Sequence, residues 1–249
     1  MKTINLSNQG LTEIPKWLKY KKDVIEIDLS RNKITEIKNL PPKLQYLWLS
    51  NNNITIIQNI PPNLKVLDIA DNNITKIKNL PNTLQKLWLD NNNITDIPNL
   101  PHNLQYLWSS NNNITDIQNL PHNLQYLWLN NNKITEIKNL PPNLLLLYLF
   151  GNHYITEIKN LPSNLQELCL SYNQITRLPF ELSLLNRLET LYYCNNPFEY
   201  IHPATRRWLR RFERNNENTK VYSDSQNIHN SNIQKSFRKS VVNIMKDKI

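Results

Sequence analysis

Aromatic side chains recur in this chain at a step of about twenty residues. Trp48, Trp88, Trp108 and Trp128 stand in one column, followed by Tyr148, and they include four of the six tryptophans. Tyr46, Tyr106 and Tyr126 stand two residues earlier, in a second column. The chemistry on offer is recognition, because tryptophan and tyrosine are the residues most enriched at binding hot spots. Groups able to make or break covalent bonds lack the neighbours they would need. His229 lies near Asp224 in SDSQNIHN. Around them is no nucleophile paired with a base, no metal-ligand spacing and no glycine-rich phosphate loop, so the segment is read as a structural loop. Cys169 and Cys194 form neither a disulfide framework nor a zinc pattern and are expected to be free thiols. His102 and His122 replace Pro42 and Pro62 of earlier copies, so they are variants of one position, not a designed pair. No catalytic residue, metal site or cofactor is expected.

The two columns sit inside a longer repeating pattern. LPHNLQYLWLNNNKIT, from Leu120 to Thr135, has variants at Leu40, Ile60, Leu80 and Leu100 before it and at Leu140 and Leu161 after it. Each fits L-x-x-L-x-L-x-x-N-x-L. The part with three leucines alternates apolar and other residues, which predicts a strand with one buried face. The ninth position is Asn32, Asn52, Asn72, Asn92, Asn112, Asn132, Asn152, Asn173 and Asn196, with Gln9 in the first copy. A buried asparagine both donates and accepts, so stacked copies are expected to form a ladder that satisfies the backbone of each turn. About ten copies result, enough for one continuous stacked core.

The segments between the strands vary. The first copy runs to Val24, with a short helix expected from Lys16 after Pro15. In the middle copies the return segments, such as ITDIPNLPHN from Ile94, hold prolines and no helical periodicity. Proline fixes φ and removes a donor, which predicts extended, polyproline-like runs on the convex side. One extra residue in GNHYI, from Gly151, predicts a local bulge. The longer LPFELSLLNRLETL predicts a helical return around Glu181 to Asn186. Ser109 stands where a third leucine belongs, which predicts a small weak spot in the core. In HPATRRWLRRFERN, from His202, Trp208, Leu209 and Phe212 fall at helical spacing among arginines. That reads as an amphipathic helix covering the open end of the core. After the polar stretch NNENTK, a last helix is expected from Ser231, with Ile233, Phe237, Val241, Ile244 and Met245 on one face.

Composition narrows the class. Of 249 residues 39% are hydrophobic, only 2 are glycine, and asparagine is about one in six. The start, MKTINLSNQG, has no apolar run of signal-peptide type, and no stretch approaches the roughly 18 apolar residues of a membrane-spanning helix. An intracellular, cytoplasmic location is the expectation, and four of the five Asn-x-Ser/Thr sequons, at Asn53, Asn73, Asn93 and Asn113, are read as by-products of the repeated NIT. The net charge of +9 is uneven. Residues 24–199 carry about −1, the first 23 about +3 and the last 50 about +7.

The strand segments of residues 1–198 resemble the leucine-rich repeat family. Copies with Leu-Pro after the turn, clearest in ITDIPNLPHNLQYL from Ile94, resemble its short LPX-like subclass, found in secreted bacterial effectors and giant DNA virus proteins. The asparagine-rich composition and the tail VYSDSQNIHNSNIQKS are more similar to the viral members, which would place the protein in host cytoplasm. The resemblance implies an α/β repeat: a solenoid with a parallel concave β-sheet, mostly extended convex segments and a helical C-terminal cap. Residues 1–198 are assigned to the solenoid and 199–249 to a basic helical cap and tail. Bacterial effectors of this subclass can carry a ubiquitin-ligase domain with a catalytic cysteine. No cysteine follows Phe198 here, so that activity is not carried over.

In such a solenoid the two aromatic columns line the concave face. Contiguous exposed aromatic area marks an interaction site. The bland alternative is that the rings only stack and stabilise the sheet by about 0.2–1 kcal/mol per pair. The expectation is a non-enzymatic monomer that binds a protein partner through Tyr46, Trp48, Trp88, Tyr106, Trp108, Tyr126, Trp128 and Tyr148. Flanking acids Glu26, Asp28, Asp68, Asp71 and Asp90 would favour basic and apolar groups on that partner. Two other readings stay open. One is nucleic-acid or acidic-membrane binding through Arg206, Arg207, Arg210, Arg211 and Arg214. The other is a substrate-recognition subunit of a ubiquitin-ligase assembly.

Overall fold

The computed structural model describes residues 2–97 and 100–213. The helix expected from Ser231, the basic tail and the His229 segment lie outside these residues. Among the described residues, ten short strands form one parallel sheet in which each strand lies beside the next in sequence. The strands are Lys2–Asn5, Val24–Asp28, Tyr46–Trp48, Val66–Asp68, Lys86–Trp88, Tyr106–Trp108, Tyr126–Trp128, Leu146–Tyr148, Glu167–Cys169 and Thr190–Tyr192. Pairing is displaced by one repeat each time, so Leu47 lies beside Leu67, Leu67 beside Leu87 and Leu87 beside Leu107. Equivalent positions therefore become spatial columns. Several columns point inward: Leu44, Leu47, Leu49, Ile54 and Ile57 are fully buried, and with most of their counterparts they form one core along the solenoid, against which Ile77 and Ile97 pack half-buried.

The asparagine ladder forms as expected. Asn72 Nδ2 donates to the carbonyls of Ile69 and Ala70 in its own turn at 3.1 Å and of Leu49 in the previous repeat at 3.0 Å. Its Oδ1 accepts from Ile54 N–H at 3.0 Å. One side chain thus ties two turns together where the strand has ended and backbone groups would otherwise be orphaned. The first rung differs, since Asn32 Oδ1 accepts from both Gln9 N–H and Leu11 N–H.

The residue before each ladder asparagine is left-handed, as at Asn51, Asp71, Asn91, Asn111 and Asn131, with φ between 53° and 58°. A second left-handed residue precedes Leu-Pro, as at Asn39, Asn79, Asn119 and Asn139, or Ile-Pro, as at Asn59. Asparagine tolerates this conformation far better than branched residues do. Two such sites and one ladder site per repeat account for the asparagine excess. At Gly151 the left-handed residue is glycine (φ +70°), and a Cβ there would lie 2.3 Å from Asn131 Oδ1.

The convex returns are extended, and some pair with each other. Ile56–Ile57 lies parallel to Lys76–Ile77, and Asp96 bridges Asp116. The prolines act at the end of each return: Leu64, Leu104 and Leu124 N–H groups donate to Pro61, Pro101 and Pro121 carbonyls at 3.0–3.2 Å. Each proline thereby opens a tight turn into the next strand. The short segment Lys16–Tyr20 and the return Phe180–Leu184 are both 3-10 helices. The second is tighter and begins slightly earlier than the helix read from the sequence.

The extra residue near Gly151 leaves the sheet pairing intact. It is absorbed in a turn beyond the strand, where Tyr154 and Ile155 N–H both donate to Asn152 O. Ile155 N–H is the donor that Asn173 Oδ1 would otherwise receive, and that oxygen is left buried without a partner. Ser109 is fully buried and its Oγ accepts from Asn112 Nδ2 at 3.4 Å, so the departure from leucine is partly satisfied.

At the C-terminal end the chain remains paired to the solenoid after Phe198, because Tyr200–Ile201 lies beside Arg177–Leu178. The helix Pro203–Leu209 follows, with proline in its first turn and His202 Nδ1 accepting from Ala204 N–H at 3.2 Å. Thr205 Oγ1 donates to Pro179 O at 2.7 Å, which pins the helix to the last long return. Leu209 and Phe212 are buried against the core end, while Arg206, Arg207, Arg210 and Arg211 stay exposed. This is the arrangement expected of a capping helix.

Candidate functional site on the concave face

Parallel pairing places the two aromatic columns side by side. Trp88 lies beside Trp108, Trp108 beside Trp128 and Trp128 beside Tyr148. Neighbouring strands lie about 4.8 Å apart, close to the spacing at which aromatic planes stack. The ring centroids of Trp88 and Trp108 are 4.4 Å apart at 7°, and those of Trp108 and Trp128 are 4.6 Å apart at 8°. Tyr106 and Tyr126 repeat this at 4.5 Å and 4°. The columns touch each other through Tyr106 on Trp108 and Tyr126 on Trp128. Trp48 is tilted against Trp88 at the N-terminal end, and Tyr148 closes the C-terminal end against Trp128. Together with Val66, Ala70 and Leu146 these residues form a second apolar cluster, separate from the interior core.

All eight aromatic residues singled out in the sequence are thus brought together. Their exposure is not what the sequence suggested. Trp88 is 1% exposed, Trp108 2% and Trp128 9%. The tryptophans cover each other and form the floor of a trough. Tyr46, Trp48, Tyr106, Tyr126 and Tyr148 are half-buried and present accessible edges. Stacked aromatic pairs add about 0.5–1.5 kcal/mol each beyond their area burial, so the floor is held rigid before anything docks on it.

The polar groups of the face divide into used and unused. Trp48 Nε1 donates to Glu26 Oε1 at 3.3 Å, and Tyr148 Oη donates to Glu167 Oε2 at 3.0 Å. Burial, and then the Glu167 charge, pushes the Tyr148 phenol well above its usual range. The acids expected to flank a partner are engaged internally. Asp28 Oδ1 accepts from Ser30, Asp68 Oδ1 from Ala70 N–H and Asp90 Oδ1 from Ser110 N–H. Asp71 accepts from Asn51 and Asn91. Asp68 and Asp90 are buried as well. Of the acidic flank read from the sequence, Asp68 and Asp90 are therefore closed off, while Glu26, Asp28 and Asp71 stay partly exposed.

Lys86 was not among the site residues read from the sequence. It occupies the column that holds Tyr46, Tyr106 and Tyr126 in other repeats, and that exchange was the available signal. It is 8% exposed, with Nζ 4.4 Å from the centre of the Tyr106 ring. Burial brings its amine from the ordinary lysine range down to about 8. At the C-terminal end Cys169 is buried and free, with its thiol pushed up to about 12, mainly by burial. Cys194, also outside any disulfide, donates Sγ–H to Ser171 Oγ at 3.3 Å. Among the described residues no three of His, Cys, Asp and Glu converge to hold a metal ion.

Comparison with known proteins was made on this basis. The family described as Leucine Rich repeats (2 copies) matches residues 42–82, 62–102 and 102–142. The Leucine Rich Repeat family matches residues 164–185. No curated protein matches the chain by sequence. Among solved structures, YopM from Yersinia enterocolitica is 28% identical over 77% of this chain, with a TM-score of 0.65. An internalin (inlF) from Listeria monocytogenes is 23% identical over 86% of the chain, with a TM-score of 0.58. The repeat domain of FLRT2, from an octameric complex with Latrophilin 3 and Unc5D, is 24% identical over 79%, with a TM-score of 0.59. The chain spans 46% of the YopM chain, 59% of the internalin chain and 76% of the FLRT2 chain.

Proposed function

From the premise that this chain is a leucine-rich repeat protein, we propose that it docks a protein partner in the concave aromatic trough. One observation carries the reading: the continuous trough whose tryptophan floor is stacked and whose tyrosine edges are accessible. Tyr46, Trp48, Tyr106, Tyr126 and Tyr148 keep accessible surface along one face, and clustered accessible aromatic surface marks interaction sites. A stacked floor loses little conformational entropy on association, so most of the contact energy is retained as affinity. The FLRT2 repeat domain, which shares the fold, was solved in a complex with other proteins.

The trough also dictates how to test the reading. Substituting the buried tryptophans would damage the fold, so the probe is the tyrosine pair. Tyr106→Ala with Tyr126→Ala removes accessible rings and leaves the Trp floor in place. The expected result is that partners captured from cell lysate by the wild-type chain are lost with the double variant, at an unchanged circular dichroism spectrum. Equal capture by both proteins would refute docking in the trough.

A further inference from the structure

Two hydrogen-bond donors on the trough have no acceptor. Trp88 Nε1 is buried without a partner, whereas Trp48 Nε1, in the same column, reaches Glu26. Lys86 is two residues away on the same strand and the same face. It is over nine-tenths buried, and no carboxylate lies within ion-pair distance of its Nζ among the described residues. What faces it is the Tyr106 ring. The nearest acids in the column of Trp88 and at its strand end, Asp68 and Asp90, already accept from backbone N–H groups.

An ammonium on a mostly buried stem, in contact with the surface only near its tip and without a counter-charge, is poorly solvated, and charged groups in such places are normally paired. The same column holds tyrosine, valine or leucine in the neighbouring repeats, so the sheet itself does not require a lysine. The amine also sits near a pKa of about 8, consistent with a cation that has lost water and found no counter-charge.

We propose that Lys86, at the edge of the Trp88 floor, is the donor for one side-chain carboxylate of the docked protein, an aspartate or glutamate flanked by apolar residues that lie on the aromatic floor. This rests on docking in the trough and adds the chemistry of the partner. It adds an acidic contact to the basic and apolar ones expected from the sequence, because Lys86 has no carboxylate within ion-pair distance among the described residues. A charge-assisted hydrogen bond in such a site is worth about a 10- to 100-fold change in affinity.

The test uses the full chain and a displayed library of random dodecapeptides, panned on wild type, Lys86→Met, Trp88→Phe and the Tyr106→Ala/Tyr126→Ala variant, each checked by thermal melting. Wild type should enrich peptides with an acidic residue next to apolar ones. For a selected peptide, Lys86→Met should weaken binding about 10- to 100-fold. The peptide's own Glu→Gln change should weaken binding to wild type as much and have little further effect on Lys86→Met. Trp88→Phe, which removes the buried N–H and keeps an aromatic ring in the floor, should change binding far less than Lys86→Met. Selection without acidic enrichment, or a Lys86→Met variant that binds as tightly as wild type, overturns the donor site. If the tyrosine variant loses the peptides while Lys86→Met keeps them, only the carboxylate assignment falls. If the tyrosine variant keeps them too, docking in the trough falls with it.

Discussion

Two ladders of side chains run along this solenoid, one of amides inside the turns and one of aromatic rings on the concave face. The amide ladder hardly varies. Rungs such as Asn52, Asn72, Asn92 and Asn132 meet equivalent carbonyls and an equivalent N–H, because those backbone groups recur at their strand ends, while Asn32 and Asn173 depart from the pattern. The aromatic ladder changes from rung to rung, with Trp, Asp, Trp, Trp, Trp, Tyr and Cys along one column. Backbone geometry dictates the first ladder, and only the neighbouring side chains dictate the second. Uniformity therefore marks scaffold, and variation at an equally ordered position marks a surface free to acquire a use.

The largest expected effect tests whether the aromatic ladder is structural as well. Trp108→Ala removes the ring stacked on both sides and should destabilise the protein by about 3–5 kcal/mol in urea unfolding. A loss under 1 kcal/mol would mean the stack is ornamental.

Next, the two ladders can be compared at their intact and broken rungs. Asn132→Ala abandons the Ser109 and Leu129 carbonyls and Ile114 N–H and should cost about 3 kcal/mol. Asn173→Ala should cost about 1 kcal/mol less, because its Oδ1 has no donor to lose. Equal losses would show that the orphaned oxygen does not matter.

Lys86→Met should stabilise the chain by about 2 kcal/mol at neutral pH. The sign follows from the lowered amine pKa. The unfolded lysine holds its proton up to its usual range near 10.5, and the folded one only to about 8. The penalty of burying it is therefore complete below pH 8 and disappears as pH rises from 8 through 10.5. The advantage of the variant should shrink across that window, and a pH-independent advantage would show that charge is not its source.

The smallest change concerns Ser109→Leu, which restores the interior pattern between Leu89 and Leu129. It should add about 1 kcal/mol of stability. A loss would mean those neighbours have already closed the gap.

Most of the scaffold could be read from the chain. Leucines and asparagines at a fixed step imply strands, an inward column and a turn ladder, because a repeat that cannot bury its own face must stack on its neighbours. The membership of the aromatic face followed from the same register. Its accessibility did not. Alternation marks Trp108 as pointing away from the core, and nothing local says that rings one repeat away will cover it. Asp68 and Asp90 misled for a related reason: a carboxylate near a turn is indistinguishable in sequence from one facing solvent, and its N–H partner appears only when the turn is formed. Lys86 shares the register of Tyr106 and Tyr126, but nothing in the sequence shows that its neighbours bury it.

The sequence by itself determined the repeat, its register and which residues share a column, since periodicity translates directly into position when every unit pairs with the next. The tertiary structure alone decided which members of a column are covered, which acids are occupied and which donors lack acceptors. Burial and hydrogen-bond satisfaction depend on side chains about twenty residues away in sequence and about 4.8 Å away in space. On this face they turn an array of tryptophans into a closed floor, with accessible tyrosine edges and one unpaired lysine.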